Sequence, residues 1–322
     1  MCANPMRISA KLFNSSEAKK NMETILITGG TGLVGTYLCR KLQDQGYKVV
    51  VLSRTQSEIP GITTYSWDFD KDETAKFAVQ NAAYIIHLAG ANIGDKRWTA
   101  KRKKIIRDSR IKTSHMIFDK IHEGKLKLRA FITASAVGYY GTISSEKIFS
   151  ETDPPNPDFL GETCRQWEQA ADRFESLGIR TVKIRTGVVL TSRGGALEKI
   201  LMPVKFGIGS AIGSGSQFIP WIHIDDLCAI YIKALEDVSM RGAYNAAAPM
   251  HISNRDFTAT LARKVKKPFW ALSIPAAVIK IMFGQRSDVL LHGSRVSSQK
   301  IMETGYRFMF PDLKTALEDL LK

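Results

Sequence analysis

Ile25-Leu26-Ile27-Thr28-Gly29-Gly30-Thr31-Gly32-Leu33-Val34-Gly35 is the stretch that decides the fold of this chain. A short apolar, β-branched run ends in a glycine-rich turn, which opens directly into an amphipathic segment from Thr36 to Gln45. Glycines 29, 32 and 35 are spaced G-x-x-G-x-x-G, and 30, 32 and 35 also satisfy G-x-G-x-x-G. The reason for the spacing is steric. The first glycines let the backbone turn sharply and approach a diphosphate, while the last lets the helix lie against its strand. Free N–H groups and the positive end of the helix dipole then face the phosphates. Strand, turn and helix follow in the order that a dinucleotide cradle requires. Its candidate contacts are Gly29, Gly30, Thr31, Gly32, Leu33, Val34 and Gly35.

Outward from this turn, strand-like and helix-like segments alternate. Strands are expected at Ile25–Thr28, Lys48–Leu52, Thr63–Trp67, Tyr84–Leu88, Arg129–Ala134 and Thr181–Arg185. Helices are expected at Thr36–Gln45, Asp72–Asn81, Thr99–His122 and Phe159–Leu177, the first stopped by Gly46. Short continuous apolar strands between helices predict an α/β fold, a doubly wound parallel sheet of the Rossmann type covered on both faces. Right-handed crossovers then put the ligand outside the carboxyl ends of the strands.

Residues 22–190 form the expected nucleotide-binding domain. Within it, Glu151 to Pro157 carries Pro154, Pro155 and Pro157 and reads as a loop over the cleft. After Arg185 the alternation lapses, and Gly194 to Gly215 is rich in glycine and serine. Residues 191–322 are expected to form mainly a smaller substrate-side lobe, with a return to the sheet near Ala243–Ala247. Residues 1–21 show no periodicity and no apolar h-region, so they read as a disordered tail, or as an extension upstream of a functional start at Met22.

The chain has 322 residues, 44% of them hydrophobic, which is ordinary for a globular protein with a substantial core. No apolar run approaches the roughly 18–20 residues needed to cross a bilayer, so no membrane association is expected. Cys2, Cys39, Cys164 and Cys228 are scattered without C-x-x-C or metal-ligand spacing, which reads as a reduced, cytoplasmic protein with isolated thiols and no metal. Net charge is +15, from 46 basic and 31 acidic residues. The densest basic block, Lys96 to Lys112, carries Trp98, Ile105, Ile106 and Ile111 at roughly helical spacing. It reads as the solvated face of a packed helix. Without interleaved aromatics, nucleic acid is not the expected partner; an acidic partner or phosphate-bearing substrate is the alternative.

Cofactor choice follows from charge. NAD-binding units place an acidic residue at the end of the second strand, roughly 20 residues beyond the glycines, to hold the ribose 2′-hydroxyl. Here that strand ends Leu52-Ser53-Arg54, without a carboxylate. The Arg54 guanidinium can take a 2′-phosphate through paired hydrogen bonds, with Arg40 a second contributor. NADP(H) is therefore expected, with NAD(H) the alternative; both arginines also suit a plain surface role.

Several longer stretches carry a resemblance. ILITGGTGLVG, then IIHLAGANI followed by RW and a downstream SR, then SAVGYYG, CRQWE, RTGVVL with GGAL, and WIHIDDL occur in order across residues 24–320. In this the chain resembles the extended short-chain dehydrogenase/reductase superfamily, and within it the atypical, sugar-nucleotide-epimerase-like branch of the SDR39U1/YfcH type. The resemblance implies that Asp68 contacts adenine, although an N-cap or loop role suits it as well. It implies that Leu88, Ala89 and Gly90 lie against ribose and nicotinamide, and that Arg185, Gly187 and Val188 belong to the segment whose backbone meets the carboxamide. Ser135 resembles the serine that hydrogen-bonds the substrate oxygen, and Gln217, Trp221 and His223 fall in the substrate-side pattern. His87 reads as a packed structural histidine, and Asp225 as the N-cap of a helix Asp226–Leu235.

The active site departs from that pattern. Aligning CRQWE on Tyr-x-x-x-Lys-x-x-x-Glu, with Glu168 last, puts Leu160 at the tyrosine and Cys164 at the lysine. Leucine has no titratable proton and a thiol has no positive charge to offer. Tyr139 and Tyr140 are the nearest phenols, and either can donate a proton only if a cation such as Arg185 replaces the lysine; packing beneath the substrate loop is the other reading. Cys164 is either a thiol acid on the substrate side or a small buried hydrophobe. Two functions stay open: an NADP(H)-dependent oxidoreductase or epimerase with non-standard acid/base groups, and a non-catalytic NADP(H)-binding sensor of redox state or occupancy. The second draws on the missing Tyr and Lys and on relatives associated with cell or plastid division.

Overall fold

A computed structural model describes residues 23–54, 59–67 and 73–322. Seven strands, β1 (Thr24–Thr28), β2 (Lys48–Ser53), β3 (Thr63–Ser66), β4 (Tyr84–His87), β5 (Ala130–Ala136), β6 (Arg180–Thr186) and β7 (Gly242–Ala246), form one sheet in the order β7-β6-β5-β4-β1-β2-β3. Every pairing in it is parallel. The chain runs outward from β1 through β2 to β3, then returns to the other side of β1 for β4, so the switch point lies between β1 and β4. All five residues of β1 are buried, as a strand covered on both faces requires.

Helices α1 (Leu33–Asp44), α2 (Glu73–Gln80), α3 (Ala100–Glu123) and α4 (Phe159–Asp172) supply the crossovers. One core packs Ile25, Ile27, Leu38 and Leu42 with Ile230 and Leu235, which lie on the later helix Ile224–Glu236. The opposite core joins Leu26, Ile85, Phe131, Ile117, Ile121 and Phe174. A third, around Leu197, Leu201, Trp221, Phe257, Leu261 and Leu317, belongs to the smaller lobe. β7 pairs Ala243 with Lys183 and Ala246 with Thr186, the expected return to the sheet.

Three boundaries differ from expectation for local reasons. Helix α1 begins at Leu33, because Gly32 in extended conformation is already its N-cap. It ends before Gly46, whose φ of 82° is the left-handed conformation glycine tolerates. α4 gives way at Arg173 to a tighter 3-10 turn that runs to Leu177. The helix after Trp221–His223 is capped by His223, not Asp225: its Nδ1 accepts from the Asp225 N–H at 3.1 Å, leaving the Asp225 carboxylate to pair with Lys41 at 2.8 Å. The tail and the Met22 start lie outside the described residues.

Candidate active site

At the carboxyl end of β1 the backbone is packed so closely that side chains have no room. Gly29, at φ 72°, backs onto the end of β4: a Cβ there would come within 2.8 Å of the Ala89 nitrogen. A Cβ on Gly35 would overlap the Gly29 carbonyl oxygen and lie 2.6 Å from the Gly30 Cα. The first turn of α1 has no side-chain cap and no acidic residue. Its Leu33, Val34 and Gly35 N–H groups have no hydrogen-bond partner among the described residues. Thr31 Oγ1 lies 3.3 Å from Ser53 Oγ, tying the turn to the end of β2, and Arg54 follows, exposed. Arg40 is exposed on α1. A cradle that a Cβ would fill, bare amides at a helix N-terminus and an adjacent guanidinium fit a dinucleotide with a 2′-phosphate. Asp68 lies outside the described residues.

Across the switch point, Leu88, Ala89 and Gly90 leave β4 as an irregular segment beside Gly29. His87 is fully buried, its Nδ1 2.6 Å from Thr28 Oγ1 and its Nε2 3.2 Å from Thr113 Oγ1. Burial pushes its pKa down to about 4, so it is a neutral structural link between β1, β4 and α3.

The carboxyl ends of β5, β6 and β7 enclose a buried polar network. Arg185 on β6 meets Glu168 of α4 through two parallel bonds, Nε to Oε1 and Nη2 to Oε2, both 2.8 Å. Ser135 Oγ donates to the same Oε1 at 2.6 Å. Arg185 Nη1 donates to the Tyr140 hydroxyl at 2.9 Å and to the Glu151 carbonyl at 3.2 Å. Tyr140 passes its own proton to Asn245 Oδ1 at 2.7 Å, and the Asn245 N–H donates to Glu151 Oε1 at 2.7 Å. Burial opposes the charge of Arg185, but the Glu168 pair overrides it and raises its pKa. Burial likewise pushes the Tyr140 phenol up to about 12, against the lowering pull of Arg185.

The expected catalytic residues therefore differ in kind. The hydroxyl protons of Ser135 and Tyr140 are committed within the network, and both residues are buried. Tyr139 is half-buried, the Arg185 guanidinium carbon lies 3.5 Å from its ring centroid, and its hydroxyl has no hydrogen-bond partner among the described residues. Cys164 is buried and its thiol is pushed up to about 12 by burial, so it takes the part of a small hydrophobe rather than an acid. The Gly187 and Val188 N–H groups are already bonded to the carbonyls of Ala246 at 3.0 Å and Pro220 at 2.7 Å.

On the substrate side, Gln217, Trp221 and His223 are all buried, and Gln217 Oε1 and Trp221 Nε1 have no hydrogen-bond partner among the described residues. Gln217 is buried, and its Nε2 bridges the carbonyls of Ile212 and Leu290. Trp221 is fully buried in the smaller lobe's core, and His223 stacks on Phe310 at 3.8 Å. Their inward placement comes from the short parallel pairing of Trp221–His223 with Val188–Leu190. His223, Asp225 and Asp319 bring potential ligand atoms within 4.8 Å of one another, but Lys41 and Lys322 neutralise the two carboxylates. The basic block lies on and just before α3, with Lys96, Arg97, Lys101, Lys104, Arg107 and Lys112 exposed. Among the described residues no helix is long and apolar enough to cross a membrane.

Sequence reasoning used Glu168 only to anchor an alignment and missed Asn245 and Glu151 altogether. A buried glutamate in a motif that lacks its lysine was the one signal available, since its charge needs another cation.

Comparison with known proteins agrees with this geometry. Residues 25–247 match the NAD dependent epimerase/dehydratase family, and 274–320 match a domain of unknown function, DUF1731. The epimerase family protein SSP1921 of Staphylococcus saprophyticus is 37% identical over 303 residues, covering 93% of this chain and all of that one. A crystal structure of the human epimerase family protein SDR39U1 with NADPH superposes with a TM-score of 0.82 at 32% identity, covering 92% of this chain and 98% of that one. A nucleoside-diphosphate sugar epimerase from Corynebacterium glutamicum gives 0.76 at 30% identity, covering 98% of this chain and 62% of that one.

Proposed function

Because the chain belongs to the NAD dependent epimerase/dehydratase family, we propose that it is a cytoplasmic, NADP(H)-dependent oxidoreductase or epimerase in which Tyr139 carries the proton. The observation that supports this is the Tyr139 hydroxyl itself. It stands at the carboxyl end of β5 with no hydrogen-bond partner among the described residues, while a guanidinium lies against the ring. The guanidinium puts a positive charge beside the phenol ring, in the part a lysine plays in the usual arrangement. A dinucleotide held at the glycine turn would supply, through its nicotinamide, hydride transfer to or from a carbonyl or carbinol carbon. The protein's part is to hold that carbon in place and to move a proton at its oxygen through Tyr139. Ser135 acts from beneath: by donating to Glu168 it helps fix the carboxylate that holds Arg185 under the Tyr139 ring. A phosphate-bearing or nucleotide-sugar substrate suits the net charge of +15 and the activity named for the Corynebacterium structure.

The test is NADPH oxidation across a panel of carbonyl compounds, sugar nucleotides included. Tyr139→Phe should lower turnover about 10²-fold or more while leaving NADPH affinity within twofold. Unchanged turnover would remove Tyr139 from the mechanism.

A second reading has its own support. Ser135, Tyr140, Glu168 and Arg185 are bonded to one another and to Asn245 and Glu151, as a scaffold is, and neither Leu160 nor Cys164 can do acid/base work. On that reading the protein senses NADP(H) without turnover, and it would bind NADPH tightly, turn over nothing, and retain a partner in one cofactor state only.

A further inference from the structure

Arg110 sits in the middle of α3 and in the middle of the basic block, yet its guanidinium turns inward. Nη1 donates to the carbonyls of Ala91 at 3.0 Å and Ile106 at 2.9 Å. The guanidinium carbon lies 5.1 Å from the ring of Trp167, and a Cβ built on Gly90 would come within 3.0 Å of it. Thus a glycine at position 90 is what lets this cation lie against the chain leaving β4. No carboxylate reaches it: among the described residues Arg110 forms no ion pair, and its Nε and Nη2 have no hydrogen-bond partner. Burial pushes its pKa down, which marks a charge the protein itself does not compensate. The indole N–H of Trp167 beside it is likewise buried without a partner. Arg110 is half-buried, so its two unbonded nitrogens, beside one buried indole N–H, are open to an acceptor from outside the chain.

The sheet says what lies there. The glycine turn at the end of β1 abuts Leu88 and Ala89, and Arg54, for the adenosine end, lies on the β2 side. The other half of a dinucleotide must therefore run from the turn toward β4 and β5, and Gly90 is the next residue along. A sugar carrying vicinal hydroxyls is the group that follows the diphosphate in that direction. The planar fork of an arginine presents two N–H groups to two neighbouring oxygens.

We infer that Arg110 holds the ribose on the nicotinamide side of the bound nucleotide. The position aligned with the usual lysine is Cys164, and Arg110 is close enough to influence that thiol electrostatically. The two tasks of the absent lysine are then divided: Arg185 serves the phenol and Arg110 serves the sugar. The inference rests on the NADP(H) half of the proposed function and is independent of whether the protein turns over.

Calorimetric titration of two probes tests it. NADPH carries both riboses, while adenosine 2′,5′-bisphosphate lacks the nicotinamide half. Arg110→Met should weaken NADPH at least tenfold and leave the bisphosphate within twofold. Arg110→Lys, which keeps the charge but loses the fork, should show a smaller loss, again confined to NADPH, and serves alone if the methionine variant fails to fold. Equal losses for both probes, or no loss for either, would overturn the inference. If the wild-type protein binds neither probe, the cofactor reading itself fails, a result distinct from both.

Discussion

At the carboxyl end of β1 the chain strips side chains away; at the carboxyl ends of β5, β6 and β7 it packs them in. Gly29 and Gly35 leave bare amides, with nothing among the described residues to satisfy Leu33, Val34 and Gly35. In the second region Glu168, Arg185, Ser135, Tyr140 and Asn245 use one another's donors and acceptors, while the Tyr139 hydroxyl has no hydrogen-bond partner among the described residues. Unsatisfied groups mark where a ligand is received, and satisfied ones mark what positions the few groups that are free. The difference teaches that charge and burial alone do not identify a reacting residue. Its unmade bonds do.

The largest expected effect breaks the satisfied region. Glu168→Ala leaves Arg185 buried and alone, and should lower unfolding stability in urea by roughly 3–5 kcal/mol. Replacing both partners by apolar residues of similar volume should recover much of that loss. A loss below about 1 kcal/mol for Glu168→Ala would mean that water reaches the pair.

His87 stands between the two regions and gives the next effect. Its folded pKa is about 4 against an ordinary 6.5. Above pH 6.5 it is neutral in both states and its contribution is intact. Between 6.5 and 4 the unfolded chain takes a proton that the folded chain refuses. Acidification through that window should therefore remove about 3 kcal/mol of stability. His87→Gln should lack this part of the pH dependence, measured as the difference between the two proteins' stability curves.

The glycine turn should respond in binding more than in folding. Gly35→Ala puts a methyl group on the Gly29 carbonyl and should weaken NADPH about 100-fold or more, close to 2.7 kcal/mol. Retained affinity would show that the turn can open without losing its amides. The smallest effect sharpens cofactor choice: Arg54→Ala should weaken NADPH about tenfold, near 1.4 kcal/mol, and NADH less than twofold. Equal losses would take Arg54 away from the 2′-phosphate.

What could be read in the sequence follows the same division. The turn is contiguous, so Ile25 to Gly35 announce strand, bend and helix within eleven residues, and the parallel doubly wound sheet follows from periodicity and handedness. The network is assembled across distance: Tyr140 and Asn245 are 105 positions apart, and neither residue type signals its partner. The burial of Gln217, Trp221 and His223 was not legible, because a motif records that residues recur together, not whether they face a cavity or a core. Arg110 was lost among eight basic neighbours, since charge density in sequence does not tell which side chain turns inward.

Cys39 lies beneath the glycine turn, its sulfur 3.3 Å from where a Cβ on Gly30 would stand, and burial raises its thiol to about 12. Cys164 and Cys228 are equally enclosed. The folded protein thus carries thiols that an alkylating reagent can reach only when the structure opens. Their labelling rate is a built-in clock for that opening, and slower labelling of Cys39 on adding nucleotide would report occupancy without any substrate.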